Sequence, residues 1–399
     1  MASFASVTLQ GPPDDVWSGW SRFVPRLSWH DTYLIEDLPA DRSTTIAKSL
    51  AQAGADAQLV LQAHDEPEHK VVLEVEAWHN QRPRRARSKV FNELGDRASL
   101  RRVLNPAVLR DAADSSLVDY LTAFLSPQEA RRSDAVMLPA HLAGGHGGAG
   151  RDGELRLAEV GVRLVRDGGL AQLGEACKPL LIGVAIEAEA IKGTAGAVAL
   201  ARSYAVLDCD GYWVQFCGLS EAKTTGVVGA CTTFLFALEE LSARRVFAVD
   251  TKNLSWPLLA SGLAGACIGI GEREAWQGPH ASSAKRRKIL PTVLHRVLLR
   301  NFRADGDRAV AAFKELPCDC GAHPAGRPPR TREEIRRHTL HARLGMAAEM
   351  TGENPIGALD RWLYRAGWSA FDLGLDPPAV AAYRAVLDAA ESGRAAAGS

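Results

Sequence analysis

Between residues 135 and 270, short apolar runs alternate with segments of helical periodicity, and no hairpin-type turn joins them. Such alternation makes each strand return beside its predecessor through a helix, which points to parallel βα units. The strand-like runs are Ala135 to Pro139, Leu180 to Ile186, Tyr212 to Phe216, Arg245 to Val249 and Ala266 to Ile270. Helical spacing occupies 154–167, 195–207, 227–241 and 257–263. Three earlier runs, Phe23 to Leu27, Gln58 to Gln62 and Val71 to Val75, bring the strand count close to eight. The expected fold is α/β, a (β/α)8 TIM-type barrel over residues 1–284 with an N-terminal extension; an open doubly wound sheet is the competitor. In a barrel, chemistry is expected at the C-terminal ends of the strands.

From about Lys285 the pattern changes. A charged stretch leads to a cysteine pair, Arg327-Pro328-Pro329-Arg330 interrupts the chain, and helical spacing then runs to Ala390. Residues 285–399 are therefore expected to form a helical appendage. The glycine-rich stretch Gly144 to Gly150 lacks the lysine of a phosphate-binding loop and reads as a connection or lid. The 47 basic residues balance the 47 acidic ones and 46% of the chain is apolar, a soluble globular composition that argues against indiscriminate polyanion binding. Met1 to Gln10 is followed at once by Gly11-Pro12-Pro13-Asp14-Asp15, so a basic-plus-apolar leader is not expected, and no apolar run approaches the ~20 residues of a membrane helix. Cys177, Cys209, Cys217, Cys231 and Cys267 stand singly in apolar surroundings, as reduced buried thiols do. These features predict a cytoplasmic protein with no membrane partner.

The remaining two cysteines are spaced differently. In Leu316-Pro317-Cys318-Asp319-Cys320-Gly321-Ala322-His323, two thiols and an imidazole reach a common point from one tight turn, and Gly321 permits the reversal. His341, or alternatively His338, supplies a fourth ligand, and the fourth position is assigned to His341. Four protein ligands leave no open coordination position, so the zinc ion this set predicts is structural.

A barrel followed by Cys-x-Cys-x2-ligand and a downstream histidine resembles the tRNA-guanine transglycosylase family, which includes the queuine, archaeosine and DNA deazaguanine transglycosylases. The stretch from Leu181-Ile182-Gly183-Val184 to Asp210-Gly211-Tyr212-Trp213-Val214-Gln215-Phe216-Cys217-Gly218-Leu219-Ser220-Glu221 is similar to the family's paired strands, the second ending in a Gly-Gly-Leu loop with an acid beside the bound base. Val246 to Asp250, a short helix and Gly265 to Ile270 follow the order of its last two units. The resemblance covers roughly residues 130 to 345. It implies a metal-binding glycosyltransferase of nucleic-acid modification, with Gly218, Leu219 and Glu221 at the base. The chain departs from the family in several places. Gly269-Ile270-Gly271-Glu272-Arg273-Glu274 stands where the family has its nucleophilic aspartate, and Leu73-Glu74-Val75-Glu76-Ala77-Trp78 stands for its Asp-Ser-Gly-Gly-Phe-Gln segment. Pro139-Ala140-His141 replaces a base-reading aspartate, and the third metal ligand is histidine rather than cysteine.

Base exchange needs one carboxylate at the sugar C1′ and another to manage the base proton. Glu272 or Asp250 is assigned as nucleophile and Glu74 or Glu76 as proton shuttle, all at predicted strand ends, where capping or pairing is the competing role: Lys252 can neutralise Asp250. Arg82, Arg84, Arg85, Lys285, Arg286 and Arg287 concentrate positive charge suited to tRNA or DNA phosphates, although a solvated helix face has the same composition. Trp78 and Trp276 are placed to stack on a base or to fill a core. Partners other than nucleic acid are a second copy in a homo-dimer, or a partner subunit if the chain is a catalytically inactive binding relative. An unrelated barrel enzyme acting on a small metabolite is the third reading.

Overall fold

The computed structural model describes residues 26–30, 33–37, 70–74, 106–130, 136–140, 149–167, 179–249, 251–269 and 292–398, apart from seventeen scattered positions between 319 and 377, among them His341. Five parallel strands form the centre: β4 (Val136–Leu138), β5 (Leu180–Glu187), β6 (Gly211–Cys217), β7 (Arg245–Val249) and β8 (Gly265–Gly269). They lie side by side in chain order. β1 (Arg26–His30) adds a sixth strand, antiparallel to β8, and β2 (Tyr33–Asp37) pairs in parallel with β3 (Lys70–Glu74). The expected strand over 58–62 lies outside the described residues, and β2 had no counterpart in the sequence reading.

The connecting helices are α1 (Pro106–Asp111), α2 (Asp114–Ala130), α3 (Ala149–Arg166), α4 (Gly193–Ala205), α5 (Thr225–Ser242) and α6 (Ser255–Ala260). A strand buried on both faces is apolar throughout, and β5 is buried from Leu180 to Ile186. Its alternate residues Leu180, Ile182, Val184 and Ile186 join Tyr212, Val214, Phe216, Val246 and Ala248 in one large core with helical residues from α1 to α6. The opposite face gathers Met137, Leu181, Trp213, Phe247 and Val249, with no helix among them. Sequential strand order with every described connecting helix on one face is the winding of a curled, singly wound sheet. A doubly wound sheet reverses its strand order and carries helices on both faces, so the competitor is set aside. Gly183 is required where β4 meets β5, since a Cβ there would approach the Leu138 carbonyl oxygen to 2.8 Å.

The C-terminal part begins with an antiparallel hairpin, β9 (Thr292–His295) and β10 (Arg300–Arg303), in place of the wholly helical appendage expected. Then come α7 (Asp307–Glu315), helical residues between 334 and 350, α8 (Pro355–Asp372) and α9 (Pro378–Ala397). α9 lies along α5 so closely that a Cβ on Gly393 would come 3.0 Å from the Thr233 carbonyl oxygen. This docking explains why α5 is buried without interruption from Ala230 to Leu238. Ala342, Met346, Ala358 and Tyr383 share the core of the central sheet, whereas Val293, Phe302, Ala309, Phe313 and Ile335 form a second core around the cysteine pair. No described helix is long and apolar enough to cross a membrane.

Candidate metal centre and strand-end site

α7 delivers the chain to Leu316 and Pro317, and Cys318 and Cys320 follow in a turn in which the Cys320 backbone N–H donates to the Cys318 Sγ at 3.4 Å. The Sγ atoms of Cys318 and Cys320 lie 3.5 and 3.3 Å from Nδ1 of His338, and Nε2 of His323 lies 3.0 Å from the same atom. One ligand atom from each of these four residues falls within 4.8 Å of every other. Zinc bonds of about 2.3 Å to sulfur and 2.0–2.1 Å to nitrogen place tetrahedral ligands roughly 3.3–3.8 Å apart, so the set fits a zinc ion after small adjustments.

The outer ring nitrogens support this assignment. Nε2 of His338 bonds the Leu294 carbonyl and Nδ1 of His323 lies 3.1 Å from the Pro324 carbonyl. Each outer nitrogen must carry the proton to donate, which leaves a lone pair on each inner nitrogen. With both rings neutral, two lone pairs 3.0 Å apart face the two sulfurs, an arrangement that a shared metal ion stabilises. An S2N2 set that fills a tetrahedron suits structural zinc. His338 supplies the fourth ligand atom; His341, assigned to that position from sequence, lies outside the described residues.

Two neighbours complete the setting. Phe313 packs edge-on against His295, His323 and His338 at 4.7, 5.5 and 5.4 Å between ring centroids, shielding the cluster from water. His295 of β9 bonds the Leu316 carbonyl through Nε2 at 3.1 Å and accepts the Leu298 N–H at Nδ1, tying the hairpin to the ligand turn. Burial pushes its imidazole down to about 4, so it is neutral at ordinary pH. Sequence reasoning did not single it out.

At the other candidate site, Gly218 follows directly on β6 with φ of 78°, a left-handed conformation that suits glycine. Leu219 is buried in the helix-side core. Oε1 of Glu221 accepts from Nδ2 of the fully buried Asn253 at 3.3 Å. The Tyr383 hydroxyl is pushed well above its ordinary range by burial first and by the Glu221 carboxylate second, while the Arg343 guanidinium pulls the other way. Glu221 thus belongs to a buried polar junction between the β6 loop and the C-terminal helices. Of the acids assigned to catalysis, Glu74 ends β3, while Glu76, Asp250 and Glu272 lie outside the described residues. So do Arg82, Arg84, Arg85, Lys285, Arg286 and Arg287, together with Trp78, Trp276 and His141.

The structure brings forward residues that the sequence reading passed over. On the helix-free face, Met137, Leu181, Trp213 and Phe247 make an apolar floor, and toward the C-terminal ends the side chains become small or polar: Gly183, Ala185 and Glu187 on β5, Gln215 and Cys217 on β6. The register sets Ala185 beside Gln215 and Glu187 beside Cys217. Burial pushes the Cys217 thiol up to about 11, with Glu187 adding to it and Lys223 opposing, so it is no thiolate nucleophile at neutral pH. The sequence signal was the alternation within Leu180 to Glu187, which puts its one charged residue on the inner face at the strand end. Cys209 and Cys231 are buried free thiols, as expected.

No family model matches this chain, and no curated protein sequence matches it.

Proposed function

We propose that the chain is a divergent transglycosylase-like barrel that holds a guanine or 7-deazaguanine base of tRNA or DNA at the C-terminal ends of its strands, with zinc as scaffold. The observation that carries the reading is a combination: parallel strands in sequence order, helices on one face, and a Cys318-Cys320-His323-His338 cluster in the part that follows. Barrel closure belongs to the same proposal. Contacts of β3 with β4 and of β2 with β1 support it, although β2 and β3 pair in a sheet of their own and β1 runs antiparallel to β8, where an all-parallel (β/α)8 barrel would have it parallel.

The inner strand ends offer matching chemistry. The Gln215 amide can donate to the purine O6, and the Glu187 carboxylate can accept from the N1 and N2 donors. In the exchange, a carboxylate from Glu272 or Asp250 forms a bond to C1′ as the C1′–N9 bond breaks. Glu74 or Glu76 supplies a proton to the departing base and takes one from the incoming base. The second step reverses the first, so atoms and charge balance.

Purified protein incubated with labelled guanine or a deazaguanine and bulk tRNA or DNA is expected to transfer label to the nucleic acid. E272Q and D250N are expected to lower incorporation by at least ~10²-fold for whichever residue is the nucleophile; activity unchanged in both overturns the role assignment. A second reading, a catalytically silent nucleic-acid-binding relative, is favoured by the absence of the Asp-Ser-Gly-Gly-Phe-Gln segment and by the engagement of Glu221 with Asn253. Binding without incorporation would select it.

A further inference from the structure

Six large apolar side chains stand exposed among the described residues, and four of them are on α8: Ile356 at 48%, Tyr364 at 70%, Trp368 at 57% and Phe371 at 77%. The helix already buries its other side through Ala358, Leu359, Leu363, Ala366 and Ala370, so folding does not account for the aromatic face. Gly357, Arg361, Tyr364, Trp368 and Phe371 recur at spacings of four and three, the a/d pattern of a helix that pairs with another helix. At about 100° per residue they occupy a single stripe. Tyr364 and Trp368 already touch edge to face, with ring centroids 6.2 Å apart.

We propose that this face is the contact of a two-fold symmetric dimer in which α8 packs antiparallel on α8 of a second copy. The charges select this occupant and this orientation. With the two-fold axis between Tyr364 and Trp368, Tyr364 meets the partner's Trp368, and Arg361 meets the partner's Phe371 and the partner's Asp372. Arg361 and Asp372 lie on the same flank of the stripe, about 20° apart in helical phase, and a two-fold pairing brings like flanks together. Each contact forms twice. A parallel pairing would set Arg361 against Arg361. Nucleic acid is disfavoured because Asp360 and Asp372 border the stripe at both ends.

The three rings expose on the order of 400 Å² per copy. With the stems of Arg361 and Arg365 and with Ile356, the total approaches the ~1,000 Å² lower bound of a specific interface. A reversible dimer in the micromolar range is the consequence. The inference does not depend on the transglycosylase reading.

Sedimentation velocity of the full chain over roughly 0.5–100 μM tests it. The expected result is a monomer–dimer equilibrium that W368E and F371E each weaken at least ~10-fold, with zinc content and circular dichroism unchanged. R361D alone should also weaken it, and R361D/D372R should restore it to within ~3-fold of the parent, because the swapped pair regains its partner. A monomer throughout the range overturns the proposal, and so does a dimer insensitive to W368E. Failure of the double variant to recover overturns the antiparallel arrangement.

Discussion

His338 illustrates what a single residue contributes. Its Nε2 bonds Leu294 in β9, its Nδ1 points at three other ligands, and so the hairpin, the ligand turn and the later helical residues meet at one ring. C318A or H338A is therefore expected to bind less than ~0.1 equivalents of zinc and to lose roughly 3 kcal/mol or more of stability, as measured by metal analysis and denaturant unfolding. The choice between His338 and His341 was legible in principle. Ile335, His338, Ala342, Met346 and Met350 are all buried and recur at spacings of three and four, a sequence pattern that includes position 338 and skips 341. The three-residue spacing alone does not distinguish them, because both fall within one helical turn.

Glu239 makes a second prediction at the residue scale. Burial pushes its carboxyl up to about 7, although the Ala264 N–H donates to it at 3.3 Å. Unfolded, the same group titrates near its ordinary 4.5, so its cost to folding is absent below about 4.5, grows as pH rises, and is complete above about 7. E239Q keeps an acceptor and removes the charge. It should stabilise the protein at pH 8 by roughly 1–2 kcal/mol after allowance for solvent screening, and make no difference near pH 4. Thermal unfolding at the two pH values tests this, and an equal effect at both contradicts it.

At the scale of elements, β5 to β8 were legible within a residue or two, because a parallel strand covered on both sides is written as an unbroken apolar run. The β9–β10 hairpin was not, since Arg300, Asn301 and Arg303 give β10 the composition of a charged loop. Long-range docking leaves no local signature either: Gly393 reads as a weak point in α9 until α5 is seen against it. G393L should drive the two helices apart and cost roughly 1–3 kcal/mol, whereas the same change at Gly367, which has nothing within 4 Å, should be far milder. Comparing the unfolding midpoints of the two variants separates close packing from loss of a flexible residue.

Across the whole molecule, the C-terminal helices do more than append to the sheet. Tyr383 and Met346 share its core, Trp256 of α6 meets Trp362 of α8 at 6.3 Å, and Arg343 lies fully buried near the Tyr383 hydroxyl that Glu221 also influences. The sequence break at about Lys285 marked a change of composition, but helices beyond it complete the core that precedes it. The metal centre closes the second core, and that core carries α8 through Ala370. Loss of the metal is therefore expected to weaken the packing around α8 as well as the ligand turn, so C318A should show faster amide exchange in α8.

Four protein donors holding one zinc ion in this second core would leave a distinct signature in X-ray absorption at the zinc edge of protein purified without chelators. The expected spectrum shows one zinc per chain with two sulfur neighbours at ~2.3 Å, two nitrogen neighbours at ~2.0 Å and no water bound to the ion. Less than half an equivalent of zinc, or a shell that is not two sulfurs and two nitrogens, would contradict it.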